Sequence, residues 1–333
     1  MFHKTTYIFI LGIYTLAQGA VKQNISVQLQ CNKSEYICGE PVLLRTTITN
    51  LSLQDYKRQY GNYGWSPKSG FTMYVSNDGN DFENILEIKT KLRLEISTPP
   101  RQYELFRDRH FLPGNLSTGQ KAERFDMLIF PKPGDYKLKA VLKERDGTTY
   151  MSEPIGLKIL TIKEKNDSIS KLGGQDFVIN LGSSIYYAHY VEKLWGGYPP
   201  GESLRPEKFE ELAPVIKEQY KDSVFREYVM YADIMTHYNP SKSTHELIEG
   251  RKELAEQFLK EYPNSWLLPE VYRKLFWTYV AEKDRKKAEQ VWNKALEIAP
   301  NATVLKEVRE FGPVVLKELQ QAESEPVQNK IQP

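Results

Sequence analysis

The sequence predicts two structural classes segregated along one chain, an antiparallel β-sandwich followed by a helical array, an α+β arrangement by separate domains. Apolar residues alternate with a period of two from Val21 to about Lys163. From Asn166 onward the period lengthens toward 3.6. Turn chemistry punctuates the first half at Asn77-Asp78-Gly79, Pro131-Lys132-Pro133-Gly134 and Asp146-Gly147. A length of 333 residues suits about two domains.

The strand rows are read in order. Ile25, Val27 and Leu29 alternate with Ser26, Gln28 and Gln30, and Val42, Leu44, Thr46 and Ile48 form the next inward row. Phe71, Met73 and Val75, then Leu92, Leu94 and Ile96, then Phe125, Met127 and Ile129 continue the series. Tyr136, Leu138, Ala140 and Leu142 alternate mainly with lysines, and Ile155, Leu157 and Ile159 close it. Alternation of this kind means one face buried and one face wet. Seven or so short antiparallel strands over about 140 residues predict an immunoglobulin-like sandwich.

Two strings carry a family resemblance. Tyr36-Ile37-Cys38-Gly39-Glu40-Pro41-Val42, followed by Thr47-Ile48-Thr49-Asn50-Leu51-Ser52, resembles the opening of bacterial immunoglobulin-like and macroglobulin-type domains. Phe130-Pro131-Lys132-Pro133-Gly134-Asp135-Tyr136 is similar to the late strand of the same domains. The resemblance implies the sandwich and is nearly silent on function. Cys38-Gly39-Glu40 is followed by Pro41, where a thioester would need Gln, so no thioester forms. The segment around Tyr56, Tyr60, Tyr63 and Trp65 sets aromatics among glycines and basic residues. Such a loop either plugs the end of the sandwich or stacks on a ligand, which makes these four a candidate ligand loop.

The helical half shows apolar stripes at Phe225, Tyr228, Val229, Ala232 and Met235, and at Leu247, Leu254, Ala255, Phe258 and Leu259. Ser243 with Glu246 forms a capping box, Asp284 suits an N-cap, and Pro269 suits a first helical turn. From Pro269, the set Tyr272, Leu275, Tyr279, Ala288, Trp292, Ala295 and Pro300 falls in register with one 34-residue unit. This unit resembles the tetratricopeptide repeat (TPR). Phe276 departs from it, standing where the family has a small residue. Tyr262-Pro263-Asn264-Ser265 looks like the break between repeats in bacterial periplasmic TPR proteins. The resemblance implies a TPR-like α-solenoid whose ligand-facing positions are Glu270, Arg273, Trp277 and Val280. Arg273 would take a carboxylate in a fork of hydrogen bonds. Trp277 would either anchor a partner or pack under a neighbouring element.

The front of the chain has its own signature. A basic start at His3 and Lys4 precedes the apolar run Tyr7–Tyr14, and Ala17-Gln18-Gly19-Ala20 offers small residues for cleavage. This is the pattern of a secretory signal, too short to span a bilayer. The resulting boundaries are a signal peptide at 1–20, the sandwich at 21–163, a linker and connecting helix at 164–206, TPR-like repeats at 207–322 and a flexible tail at 323–333. Export to the periplasm or beyond predicts a disulfide between Cys31 and Cys38, the two cysteines of the chain.

Composition narrows the function classes. A net charge of +2 gives no global field toward nucleic acid or an anionic membrane. The five histidines form no metal motif, and nucleophile-elbow, P-loop and dinucleotide fingerprints are absent. No catalytic residue, metal or cofactor is expected. The expected function is a non-enzymatic extracytoplasmic scaffold that binds a protein or peptide through the TPR-like surface; the alternative is a glycan- or ligand-binding protein using the aromatic loop. Intact-mass analysis of the exported protein is expected to show loss of residues 1–20, and a full-length cytosolic species would refute the export reading.

Overall fold

The computed structural model describes residues 24–57, 70–76, 81–84, 115–130, 132–144, 146–195, 209–236 and 244–324. The predicted signal peptide, the row at Leu92, Leu94 and Ile96, and the tail beyond Ser324 lie outside the described residues. So does Ser243 of the expected capping box.

The strands are β1 (Ile25–Cys31), β2 (Glu35–Ile37), β3 (Pro41–Asn50), β4 (Tyr56–Lys57), β5 (Gly70–Ser76), β6 (Glu83–Asn84), β7 (Asn115–Leu116), β8 (Lys121–Ile129), β9 (Gly134–Lys143), β10 (Thr149–Met151) and β11 (Ile155–Leu160). One sheet has the order β1-β3-β8. The other runs β2-β11-β9-β5-β6, with β10 also paired to β9, and β4 pairs with β7. The two main sheets bury Val27, Leu29, Val42, Leu44, Ile48 and Leu128 against Met73, Val75, Leu138, Ala140, Leu142 and Leu157. The region is β-sandwich-like, as the alternation predicts.

Two details differ from that reading. β2 runs parallel to β11, pairing Glu35 with Lys158 and Ile37 with Leu160, within an otherwise antiparallel set of ladders. The row Phe125, Met127 and Ile129 is not the sandwich-facing row of β8. Ala122 and Leu128 face the sandwich core, while Met127 belongs to the core formed with the helices. The three-stranded sheet is covered on both faces, so alternation alone does not say which face meets which layer.

The helices are α1 (Ile162–Lys165), α2 (Gln175–Trp195), α3 (Phe209–Gln219), α4 (Phe225–Thr236), α5 (Thr244–Glu261), α6 (Leu268–Ala281), α7 (Arg285–Ile298) and α8 (Lys306–Ser324). Short 3-10 turns lie at Ser168–Lys171 and Thr303–Leu305. The stripe of α4 is fully buried: Phe225, Tyr228, Val229 and Ala232 are 0% exposed. Helices α2, α3, α5 and α6 pack around it. α6 and α7 form a helix pair in which Ala288 and Ala295 are buried, allowing the close approach their size predicts. Phe276 is accommodated in the core, edge-on to Trp277 at 5.0 Å. Trp292 fills the gap to α8, donating from Nε1 to the Val308 carbonyl at 3.0 Å beside Gly312.

The charged stretch Lys163–Asp167 is a folded corner. Thr161 and Glu164 cap α1 reciprocally, and Asn166 takes the left-handed conformation. Asp167 then accepts from the Ile169 amide at 2.9 Å and from the Val224 amide at 3.0 Å, tying the corner to the start of α4. The change of period near Lys163 is therefore a change of secondary structure without a gap in packing. Ile37, Leu43 and Met127 of the β half share one core with Val178, Ile185, Phe225 and Leu305 of the helical half. Farther along, the Glu123 amide donates to the Asn301 carbonyl at 2.8 Å, and Glu123 makes a parallel bridge with Ala302 on the open edge of β8.

The tightest contact between halves is backbone on backbone. Gly39 has φ +87°, in the left-handed region. A Cβ on Gly182 of α2 would lie 1.7 Å from the Gly39 carbonyl oxygen, and a Cβ on Gly39 would lie 2.6 Å from the Val178 carbonyl oxygen. Gly182→Ala is expected to lower the unfolding free energy by about 3 kcal/mol, the upper end for overpacking. Gly156→Ala, whose Cβ meets nothing within 4 Å, is expected to stay within about 0.5 kcal/mol of the parent. Urea titration of both variants checks this, and equal midpoints would show that α2 simply slides.

Candidate functional site

The loop from β1 to β2 meets α4 in a buried polar cluster. Lys33 Nζ donates to Glu40 Oε1 at 2.5 Å, and the Ile37 amide donates to Glu40 Oε2 at 2.9 Å. The Lys33 ammonium also stands 5.9 Å from the Tyr36 ring centre and 5.7 Å from that of Tyr228. The Tyr36 hydroxyl donates to Asn32 Oδ1 at 2.7 Å. Burial pushes the Glu40 carboxyl upward against the pull of Lys33, and burial drives the Tyr36 and Tyr228 phenols upward, so both stay neutral.

Beside this cluster a pocket of about 330 Å³ opens at the seam. Asn32 lines it from the β half; Glu227 comes from the first turn of α4. Glu261, Tyr262, Pro263, Asn264, Ser265 and Trp266, at the end of α5 and the turn into α6, complete it. The turn is held from behind. Arg226 donates to Glu261, to the Tyr262 hydroxyl at 3.0 Å and to the Lys217 carbonyl at 2.8 Å. The hydrogen bond from Arg226 keeps the Glu261 carboxyl below the usual carboxylate range. Ser265 Oγ donates to Glu227 Oε1 at 2.5 Å and accepts from the Leu267 amide at 3.0 Å. The Arg45 guanidinium sits 4.8 Å from the Trp266 ring centre, pinning the ring to the β half.

The residues expected to bind a partner are distributed otherwise. Glu270 and Arg273 lie in the interior at 2% and 7% exposure, one turn apart on α6, with Arg273 Nε 3.5 Å from Glu270 Oε2. Trp277 and Val280 are half-buried against the helical core. Tyr56 is buried in the sandwich, its hydroxyl donating to Glu144. Tyr60, Tyr63 and Trp65 lie outside the described residues. Sequence reasoning singled out the Tyr262-Pro263-Asn264-Ser265 break but not its role as a pocket wall. Nor did it connect Asn32, Glu227 and Trp266, which reach the pocket from three separate segments.

The expected disulfide is absent: Cys31 and Cys38 are free. Cys31 ends β1 and its thiol donates to the Lys33 carbonyl at 2.8 Å, whereas Cys38 follows β2 and is fully buried in the sandwich core. The two strands belong to different sheets, and each thiol has its own surroundings, Cys31 the Lys33 carbonyl and Cys38 the sandwich core. Burial raises both thiols, Cys38 up to about 11. Among the described residues no group of three or more His, Cys, Asp or Glu is placed to hold a metal. No described helix is long and apolar enough to cross a membrane.

No protein-family model and no curated protein sequence matches the chain. Among solved structures, the chain overlaps the CARDB domain of a Pyrococcus furiosus protein in complex with di-metal ions, at TM-score 0.23 and 6% identity, over 43% of this chain and 99% of that one. It also overlaps a Listeria innocua β-glucosidase, in complex with laminaribiose, at TM-score 0.23 and 10% identity, over 42% of this chain and 16% of that one. The same enzyme in complex with isofagomine gives TM-score 0.22 and 10% identity over 41% and 16%. Overlaps this distant carry no chemistry across.

Glu40 makes the seam pH-dependent in a defined direction. A carboxyl raised by folding stabilises the fold fully below its unfolded value, about 4.3, and that contribution is lost as pH climbs through the folded value. The parent is therefore expected to lose stability relative to Glu40→Gln as pH rises from 4 toward neutrality. Denaturant midpoints of both proteins across that range check the sign, and a constant difference would place Glu40 at its ordinary value.

Proposed function

We propose that this chain is a non-enzymatic, exported interaction protein whose TPR-like helical half docks a partner protein. The observation that carries the reading is the apolar surface exposed on α8. On α8, Val308, Gly312 and Leu316 face the core, while Phe311 and Val314 are each 54% exposed on the other side. Ile298, at the end of α7, is 39% exposed. Large apolar side chains exposed on one helix face are the kind of surface that a partner covers. The helix is braced for such a load: Arg285 of α7 donates to Glu323 of α8 at 2.8 Å, and Arg309 Nη1 donates to the Pro300 and Ala302 carbonyls. With Glu270 and Arg273 inside, the docking face of the reading is this outer side of α8, with Trp277 and Val280 contributing only at their exposed margins.

Chemical crosslinking of the exported protein in its native fraction tests the reading. Phe311→Asp and Val314→Asp are expected to abolish a specific crosslinked species while leaving Tm unchanged, because exposed substitutions typically cost within about 0.5 kcal/mol. Capture that survives both substitutions removes α8 as the docking face.

A further inference from the structure

The pocket at the seam is a different surface from α8, and its chemistry is specific. We infer that it binds a neutral saccharide unit, held between the Trp266 and Tyr262 rings and the polar groups of Asn32, Glu227 and Asn264.

Charge balance comes first. The Glu261 carboxylate is met by Arg226, and the Glu40 carboxylate behind the floor is met by Lys33. Arg45 lies over the Trp266 ring. With Lys221 acting on Glu261 and Asp167 acting on Glu40, the cations Lys33, Arg45, Lys221 and Arg226 stand against the carboxylates of Glu40, Asp167, Glu227 and Glu261. A pocket so balanced offers little net attraction to a charged ligand. It offers hydrogen-bonding groups in quantity instead. Glu227 Oε1 is engaged by Ser265, which leaves the acceptor capacity of Oε2 on the pocket wall. The Asn264 amide supplies two donors and an acceptor, whereas Asn32 Oδ1 already accepts from the Tyr36 hydroxyl. Vicinal sugar hydroxyls, which donate and accept from adjacent carbons, match paired carboxylate and amide groups.

The aromatic wall supplies the other half of sugar recognition. Trp266 and Tyr262 are half-buried, and an aromatic face packs against the C–H face of a pyranose. The volume of about 330 Å³ falls at the small end of ligand pockets, roughly 300–1,000 Å³.

The test is a titration of the whole protein with a panel of neutral mono- and disaccharides of glucose, galactose, mannose and N-acetylglucosamine. Glucuronate and an arginine ester serve as charged probes, with tryptophan fluorescence and calorimetry as readouts. At least one neutral sugar is expected to saturate. Asn264→Ala and Glu227→Gln are each expected to weaken it roughly tenfold, the loss typical of one or two hydrogen bonds. Asn264 lies exposed on the turn, so its variant keeps the parent Tm and separates binding from folding. The inference is overturned if no neutral sugar binds, if only a charged probe binds, or if sugar binding survives both substitutions unchanged.

Discussion

The contact between Gly39 and Gly182 sets the geometry of the whole molecule. Two backbones meet where neither position has room for a single methyl group. Gly39 lies in the turn leading into β3, and its amide donates to the Phe130 carbonyl at 2.9 Å, so that turn is fixed to the end of β8. Gly182 lies mid-way along α2, so the helix axis is held against the turn at van der Waals distance. From that fixed crossing, Val178 and Ile185, one turn to either side, enter the shared core. α2 then packs on α4, and α4 packs in turn on α3, α5 and α6. The string that resembles a macroglobulin-type opening is thus the landing site of the helical half.

The polar groups of the seam fit the same constraint. A backbone-to-backbone crossing leaves wedge-shaped space on either side, and in this protein the wedge beside α4 is filled by Lys33, Glu40, Tyr36 and Tyr228. Apolar filling would spare the desolvation of Glu40, the buried member of the pair, while the Lys33 side chain stays partly exposed. What the pair supplies is placement. Lys33 and the Ile37 amide grip both oxygens of Glu40, which fixes the β1–β2 loop and so the position of Asn32 in the pocket.

How much of this was legible in the sequence depends on how many neighbours each element has. Rows such as Val42, Leu44 and Ile48 were legible because their pattern names one core. The β8 row was not, because Met127 and Leu128 are both buried, on opposite sides. The α6–α7 pair was legible from the seven-residue spacing of Ala288 and Ala295, a local property. Helix α2 was not: Phe177-Val178-Ile179 follows a Gly pair and has no strong helical preference, and its helix is stabilised by contacts with the β half. The burial of Glu270 and Arg273 was equally invisible. Charged residues at ligand-facing positions read as surface, and the 3-10 turn at Thr303–Leu305 that packs on α6 comes from beyond the repeat. The pocket drew on residues from the β1–β2 loop, α4 and the α5–α6 turn, and no local spacing links them. The cysteine prediction failed for a related reason: seven positions apart in the chain does not fix the surroundings each thiol enters.

The bridge between Glu123 and Ala302 has a consequence for how the chain is made. β8 is an edge strand of its sheet, and exposed edges invite pairing with other chains. Here the cover for that edge is supplied by a segment synthesised long after the strand itself. A nascent chain that has completed the sandwich still shows an unprotected rim, and keeps showing it until α2 through α7 have been laid down and the Asn301–Ala302 turn arrives. The interval between those two moments is when this protein is most open to joining a stranger's sheet, and a chaperone shielding it would have to stay bound until the Asn301–Ala302 turn has emerged.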